Sequence, residues 1–108
     1  MIDAFKLRAA AGKLGYMRGA TGDGGWFYDY TKRFASIGLE AVVSFSGNAL
    51  PEENRKVALL DLNFQRARGP VPLGEVPAVI LSECLNDMRT VAAEGSGFDS
   101  DWQSKVER

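Results

Sequence analysis

Two segments in the middle of the chain alternate between apolar and polar side chains, and this pattern constrains the fold more than any other feature. In residues 39–46 the apolar positions on one face are Leu39, Ala41, Val43 and Phe45. In residues 56–66 the predicted inward positions are Ala58, Leu60, Leu62 and Phe64, with Asp61, Asn63 and Gln65 outward. Because successive side chains of a strand point to opposite faces, both segments are predicted strands. We expect them to be antiparallel neighbours with one polar face.

The region before these strands predicts further strands. Residues 26–33 are rich in aromatic and β-branched side chains, a composition typical of strands. A strand is also expected to begin near residues 16–18, and the glycine-rich residues 19–25 would form the turn between the two. The sequence therefore predicts an antiparallel sheet of three to four strands.

The sequence also predicts two helices. Residues 76–94 place apolar side chains on about half of the helix circumference, which is enough to cover an apolar sheet face. Asp3 is a suitable N-cap for a short N-terminal helix that ends at Gly12 or Gly15. The predicted fold class is α+β, with the long amphipathic helix packed on one face of the sheet.

Length and rare residue types limit what the chain can do. At 108 residues it is expected to form a single domain, residues 1–108, with a mobile tail at residues 97–108. The sequence has no histidine and one cysteine, Cys84, which excludes histidine-dependent triads, thiolate-rich metal sites and internal disulfides. We therefore predict that the chain is not an enzyme and has no catalytic residues, no metal and no cofactor.

Charge gives further limits on partners and location. The net charge is −1, so neither nucleic acid nor an anionic membrane is an expected partner. The sequence has no apolar run as long as a membrane span and no signal-peptide core, so the expected location is the cytoplasm. Residues 1–34 carry six basic and three acidic side chains, whereas residues 75–108 carry three basic and seven acidic ones. This asymmetry is consistent with contact between the two ends, with a dimer of opposite surfaces, or with scattered solvated charges.

The glycine-rich residues 19–25 are the main candidate for a ligand site. They lack the Gly-Lys-Ser/Thr ending of a phosphate loop and precede a strand, so a hairpin turn is favoured over an anion site. The alternative is a small-ligand-binding or catalytic cleft beside this turn. Its polar residues would be Arg18, Asp23, Asp29 and Arg33.

The aromatic strand is better suited to protein contacts than to stacking of bases. Tyrosine and tryptophan are enriched at interface centres, and the net charge is wrong for a strong nucleic-acid binder. Apolar residues on the outer face of the neighbouring strands extend this candidate interface, which would contact a partner protein or a second copy in a homodimer. The predicted interface residues are Trp26, Tyr28, Tyr30, Val42 and Leu59.

Glu83 and Asp87 are four residues apart on the predicted long helix, so their carboxylates share a face. Such a pair can bind a divalent ion or raise the pKa of one carboxyl group. A hydrated helix face is the favoured interpretation, because no third carboxylate stands at a compatible spacing.

Several short motifs occur in an order that resembles a known family. They are Leu14-Gly-Tyr-Met-Arg-Gly19, Asp23-Gly-Gly-Trp26, Tyr30-Thr-Lys-Arg-Phe34, Ser44-Phe-Ser-Gly-Asn48, Leu50-Pro-Glu-Glu-Asn54, Pro72-Leu-Gly-Glu-Val-Pro77, Leu81-Ser-Glu-Cys-Leu-Asn-Asp87 and Gly95-Ser-Gly-Phe-Asp99. Residues 5–102 thus resemble the carboxy-terminal region of large bacterial MolR-like proteins. This family of unknown function is named after a proposed molybdate metabolism regulator, and some members carry an amino-terminal WGR domain.

The resemblance implies the tail module of a larger protein, and the family brings no established catalytic residues. Together with the missing histidine, it favours a non-catalytic protein-interaction or assembly module. The alternative function remains the ligand-binding or catalytic cleft at residues 19–25.

Overall fold

The computed structural model describes residues 2–22, 27–48 and 50–93, and the tail predicted to be mobile, residues 97–108, lies outside them. The described residues form strands β1 (Ile2–Asp3), β2 (Met17–Gly22), β3 (Phe27–Phe34), β4 (Leu39–Gly47), β5 (Lys56–Arg66) and β6 (Gly69–Val71). They also form helices α1 (Ala4–Lys13) and α2 (Ala78–Ala93). The predicted α+β class is confirmed.

The strands form one antiparallel sheet with the spatial order β1-β5-β4-β3-β2, and β6 also pairs with β5. Strands β2 to β5 are a meander, in which each strand pairs with the next along the chain. β1 pairs with the start of β5 and β6 with its end, both on the edge away from β4. The predicted count of three to four strands is therefore too low. It misses β1 and β6 because strands of two and three residues are too short to show a period of two.

The two helices begin and end close to the predicted residues. Asp3 caps α1 as expected, since its Oδ1 accepts hydrogen bonds from the backbone N–H groups of Phe5 and Lys6 at 2.9 and 3.4 Å. Gly15 has a φ of +92° and turns the chain from α1 towards β2, a conformation that glycine adopts at little cost. α2 begins directly after Pro77, which has no N–H to lose.

Both helices pack on one face of the sheet. A single cluster of buried side chains joins Leu7 of α1 and Met88 of α2 to the inward residues of β3, β4 and β5. The predicted alternation of β4 is confirmed, because Leu39, Ala41, Val43 and Phe45 are all buried. The opposite face of the sheet, called the open face below, carries neither of the two described helices.

A β-bulge interrupts β5. Ser44 of β4 pairs with Asp61, and the next residue, Phe45, pairs with Leu59. Leu60 is therefore an extra residue without a partner in β4. An inserted residue of this kind exchanges the two faces of a strand from that point on, because side chains alternate with a period of two.

The bulge corrects the predicted faces of β5. Leu62 and Phe64, on one side of it, are buried as expected. On the other side Leu59 is buried and Leu60 is 45% exposed. The prediction that Ala58 and Leu60 point into the core is therefore wrong.

Candidate functional site

The candidate site is the open face, which consists of the outward side chains of β2 to β5. Cross-strand pairing arranges these side chains in rows. The central row contains Met17, Thr31, Val42 and Asn63, one residue from each strand. Met17 is 75% exposed, and Val42 is partly buried between its neighbours. The row therefore presents apolar groups on a face that no described helix covers.

Polar pairs flank the central row. On one side Ser44 Oγ donates a hydrogen bond to Asp29 Oδ1 at 2.9 Å. On the other side Gln65 Nε2 donates to Glu40 Oε1 at 2.8 Å. The open face thus mixes polar and apolar groups, a composition shared by ordinary protein surface and by non-obligate interfaces.

Two shallow clefts adjoin at one end of the open face and share Gln65. The first has a volume of about 250 Å³ and is lined by Arg33, Gly38, Leu39, Glu40, Gln65, Arg66 and Ala67. The second has a volume of about 330 Å³ and is lined by Val42, Asn63, Phe64, Gln65, Pro70 and Val71. Together they are called the open-face groove. The first cleft is charged, whereas the second is mainly apolar with two carboxamide groups.

The described aromatic residues predicted to form an interface lie in the core instead. Tyr28 and Tyr30 are 2% and 3% exposed, and the Tyr30 ring packs edge-on against Phe45 with 5.9 Å between ring centroids. Leu59 is also buried, because the bulge turns it inward. Among the predicted interface residues that the structure describes, Val42 is the one on the open face.

The residues predicted for a ligand cleft do not converge. The Arg18 guanidinium carbon lies 4.5 Å from the ring centroid of Tyr28, on the side of the sheet that the helices cover. Asp29 and Arg33 point to the open face and stand four positions apart in β3, roughly 13 Å. The structure does not describe Asp23 or Trp26. The described side chains therefore do not meet in one cleft beside residues 19–25.

A polar cluster that the sequence analysis missed joins α2 to the sheet. Asp87 is 8% exposed, and its Oδ2 accepts hydrogen bonds from Tyr16 Oη and Lys32 Nζ, both at 3.0 Å. Lys32 Nζ also lies 2.9 Å from Glu83 Oε2. The Glu83 and Asp87 pair therefore holds a lysine, and its interpretation as a hydrated helix face is wrong. The contact also joins the basic first third of the chain to its acidic last third, one of the arrangements that the charge asymmetry suggested.

Burial and charge decide which groups of this cluster are ionised. Burial raises the pKa of Tyr16 far above its usual value, and the neighbouring Cys84 and Asp87 raise it further. Burial lowers the pKa of Lys32, but its hydrogen bonds to Glu83 and Asp87 more than offset this effect, so the pKa is raised overall. Burial also raises the pKa of the Cys84 thiol, which makes it less reactive than an exposed thiol. The cluster is thus a neutral tyrosine and a charged lysine bound to carboxylates, an arrangement suited to holding α2 in place.

A second cluster fixes the chain before β5. Arg55 is 9% exposed, and its Nη1 donates a hydrogen bond to Tyr28 Oη at 2.5 Å. Its Nε donates to the carbonyl oxygens of Asn48 and Leu50, both at 3.1 Å. A buried guanidinium needs such partners, because an unsatisfied buried charge is strongly unfavourable. Arg55 therefore has a structural role, which no local sequence pattern indicates.

Comparisons with known proteins gave no match: no family model, no curated protein and no solved structure matches the chain significantly. None of the helices in the described residues is long and apolar enough to cross a membrane. The same residues contain no group of three or more acidic or cysteine side chains placed to hold a metal ion.

Proposed function

We propose that the chain is a non-catalytic protein-interaction module and that the open face is its docking surface. The main observation behind this proposal is that the described helices cover only one face of the sheet. Both described helices pack on one face, while the other presents a partly apolar central row and the open-face groove. Partly apolar exposed surfaces with grooves are suited to contact with a partner protein.

The two polar clusters support a binding role over a catalytic one. General acid–base catalysis needs a titratable side chain within hydrogen-bond reach of a substrate. Tyr16, Lys32 and Asp87 bond to one another, and Arg55 bonds to the backbone and to Tyr28. These side chains already serve the packing of α2 and of the chain before β5, and neither cluster contributes to the lining of the open-face groove.

A place in a larger protein is the second part of the proposal. The motif order of residues 5–102 resembles the carboxy-terminal region of MolR-like proteins, and a docking module fits such a position. The comparisons add no support for this family. The proposed partner is a segment of another protein. Self-association of the chain is measured as a separate outcome of the test.

The substitution Val42→Glu tests the docking surface. It places a charge in the middle of the central row, so we expect it to reduce capture of a partner by the immobilised chain by about tenfold or more. Quantitative mass spectrometry of proteins captured from a bacterial extract measures the effect. Asn63→Glu, at the exposed neighbour of Val42 in β5, should act in the same way with less disturbance of β4.

Val79→Glu is the matched control for this test. Val79 is 75% exposed on α2, so the same change of residue leaves the open face intact. A protein captured equally by the wild type and Val79→Glu but lost with Val42→Glu and Asn63→Glu supports the proposal. If all four chains stay folded and capture the same proteins, the open face is not the docking surface. Sedimentation velocity of the wild type shows whether that partner is a second copy.

A further inference from the structure

The open-face groove has a basic end. Arg33 and Arg66 line its first cleft, and the exposed Arg68 lies in the adjoining turn between β5 and β6. Glu40 is the acidic residue of this lining, and its Oε1 already accepts a hydrogen bond from Gln65. Arg66 Nη1 already donates a hydrogen bond to the carbonyl oxygen of Ile37. Three guanidinium groups and one carboxylate still give this end a net positive charge. Guanidinium groups bind carboxylates with two parallel hydrogen bonds, so an acidic side chain is the group that matches this end.

The adjoining part of the groove is mainly apolar. Val42 and Pro70 line the second cleft, together with the carboxamide groups of Asn63 and Gln65. Val71 also lines it, but pairs with the buried Phe64 and packs against the core. Val42 and Val71 are partly buried, whereas Pro70 is exposed. Such a lining can take one aliphatic or aromatic side chain, while the carboxamides can bond to the backbone of an extended chain.

The basic and apolar parts follow each other at the spacing of an extended chain. Glu40 and Val42 are alternate residues of β4 on the open face, and Gln65 and Asn63 are their partners in β5. Alternate residues of a strand are about 7 Å apart. A peptide that runs along the strands would therefore present alternate side chains to the two parts of the groove.

We infer, on the basis of the proposed function, that the groove binds an extended acidic segment of a partner protein. In this segment an aliphatic or aromatic residue stands two positions from an Asp or Glu. The apolar side chain occupies the cleft at Val42 and Pro70, and the carboxylate pairs with Arg33. Charge complementarity favours an acidic occupant, because a basic segment would be repelled by these guanidinium groups.

Selection from a phage library of random 12-residue peptides, with the full chain as bait, tests this inference. We expect the enriched peptides to share an apolar residue two positions from Asp or Glu. Fluorescence anisotropy with the most enriched peptide then compares the wild type with Arg33→Glu. Reversal of this exposed charge should weaken binding by roughly tenfold at low salt, and the loss should shrink as salt is raised. Lys6→Glu on α1 makes the same change in net charge away from the groove and should bind as the wild type does.

The outcomes separate this inference from the proposed function. If the enriched peptides lack acidic residues, or Arg33→Glu binds them as well as the wild type, the inference is overturned. The proposed function still stands in that case, provided that Val42→Glu and Asn63→Glu abolish binding. If no peptide is enriched, or if neither open-face substitution affects binding, both are overturned. Concentration-dependent self-association that Arg33→Glu removes would identify a second copy as the occupant and would also overturn the inference.

Discussion

Replacing Asp87 by alanine should lower the free energy of unfolding by about 3 kcal/mol, because it removes the buried carboxylate that pairs with Lys32 and leaves only the half-exposed Glu83 as a partner. Asp87 Oδ2 accepts hydrogen bonds from both Tyr16 and Lys32, so the substitution also leaves the Tyr16 hydroxyl without its acceptor. The Lys32 side chain is only 19% exposed and recovers little hydration in the folded state. Urea unfolding followed by circular dichroism measures the change.

Glu83→Ala is the matched control for Asp87→Ala. Both carboxylates lie on the same face of α2 and contact the same ammonium group, but the Glu83 side chain is 48% exposed. An exposed ion pair contributes little, so we expect a loss below about 1 kcal/mol. Equal losses for the two variants would mean that Asp87 is no more buried than Glu83 and would contradict the described position of α2 on the sheet.

Replacing Leu59 by alanine should also lower the free energy of unfolding by about 3 kcal/mol, since it removes a buried side chain and leaves a cavity in the core. The same substitution at Leu60 should change stability by less than about 0.5 kcal/mol, because that side chain is 45% exposed at the bulge. The two residues are adjacent and chemically identical, so the comparison depends on the bulge alone. Thermal or urea unfolding of both variants measures the difference.

If β5 had no bulge, the opposite result would be expected for Leu59→Ala and Leu60→Ala. The strict alternation expected from the sequence places Leu60 in the core and Leu59 on the outer face. A larger loss of unfolding free energy for Leu60→Ala than for Leu59→Ala would therefore show that β5 has the regular register without a bulge. In that case Leu59 would lie on the outer face, as the predicted interface requires.

The sequence predicts the elements of this fold well where one pattern is sustained over a whole element. β4 alternates over its full length, and each of its predicted inward residues is buried. α1 has both a capping aspartate and a glycine that ends it, and Asp3 and Gly15 act as expected. These signals are local, so they can be recognised without knowledge of what the element packs against.

The bulge of β5 could not be predicted because residues 57–60 are all apolar. With Val57, Ala58, Leu59 and Leu60 in succession, either register places apolar side chains in the core. The choice depends on the pairing with β4, where Phe45 meets Leu59. Cross-strand pairing is a tertiary contact that a single strand does not encode.

The candidate site was predicted only in part for a related reason. The alternation of β3 groups Tyr28, Tyr30 and Lys32 on one face, and this grouping is correct. The pattern does not show that this face meets the helices, because a lysine in a strand usually indicates a solvent-exposed face. The hydrogen bond from Lys32 to Asp87 of α2 is a tertiary contact that the strand sequence does not indicate. Val42 was assigned to the outward face because it stands between two buried residues of β4, and the structure places it there.

The most direct test of the central claim is a nuclear magnetic resonance titration of the isotope-labelled chain with the peptide most enriched on it. If the open face is the docking surface, the largest amide shift changes will occur in β4 and β5, at Val42, Asn63 and Gln65. The amides around Val79 of α2 will remain unchanged. If the largest changes instead occur on the helices, or if a saturating peptide leaves β4 and β5 unaffected, the open face does not bind partners and the proposed function is wrong.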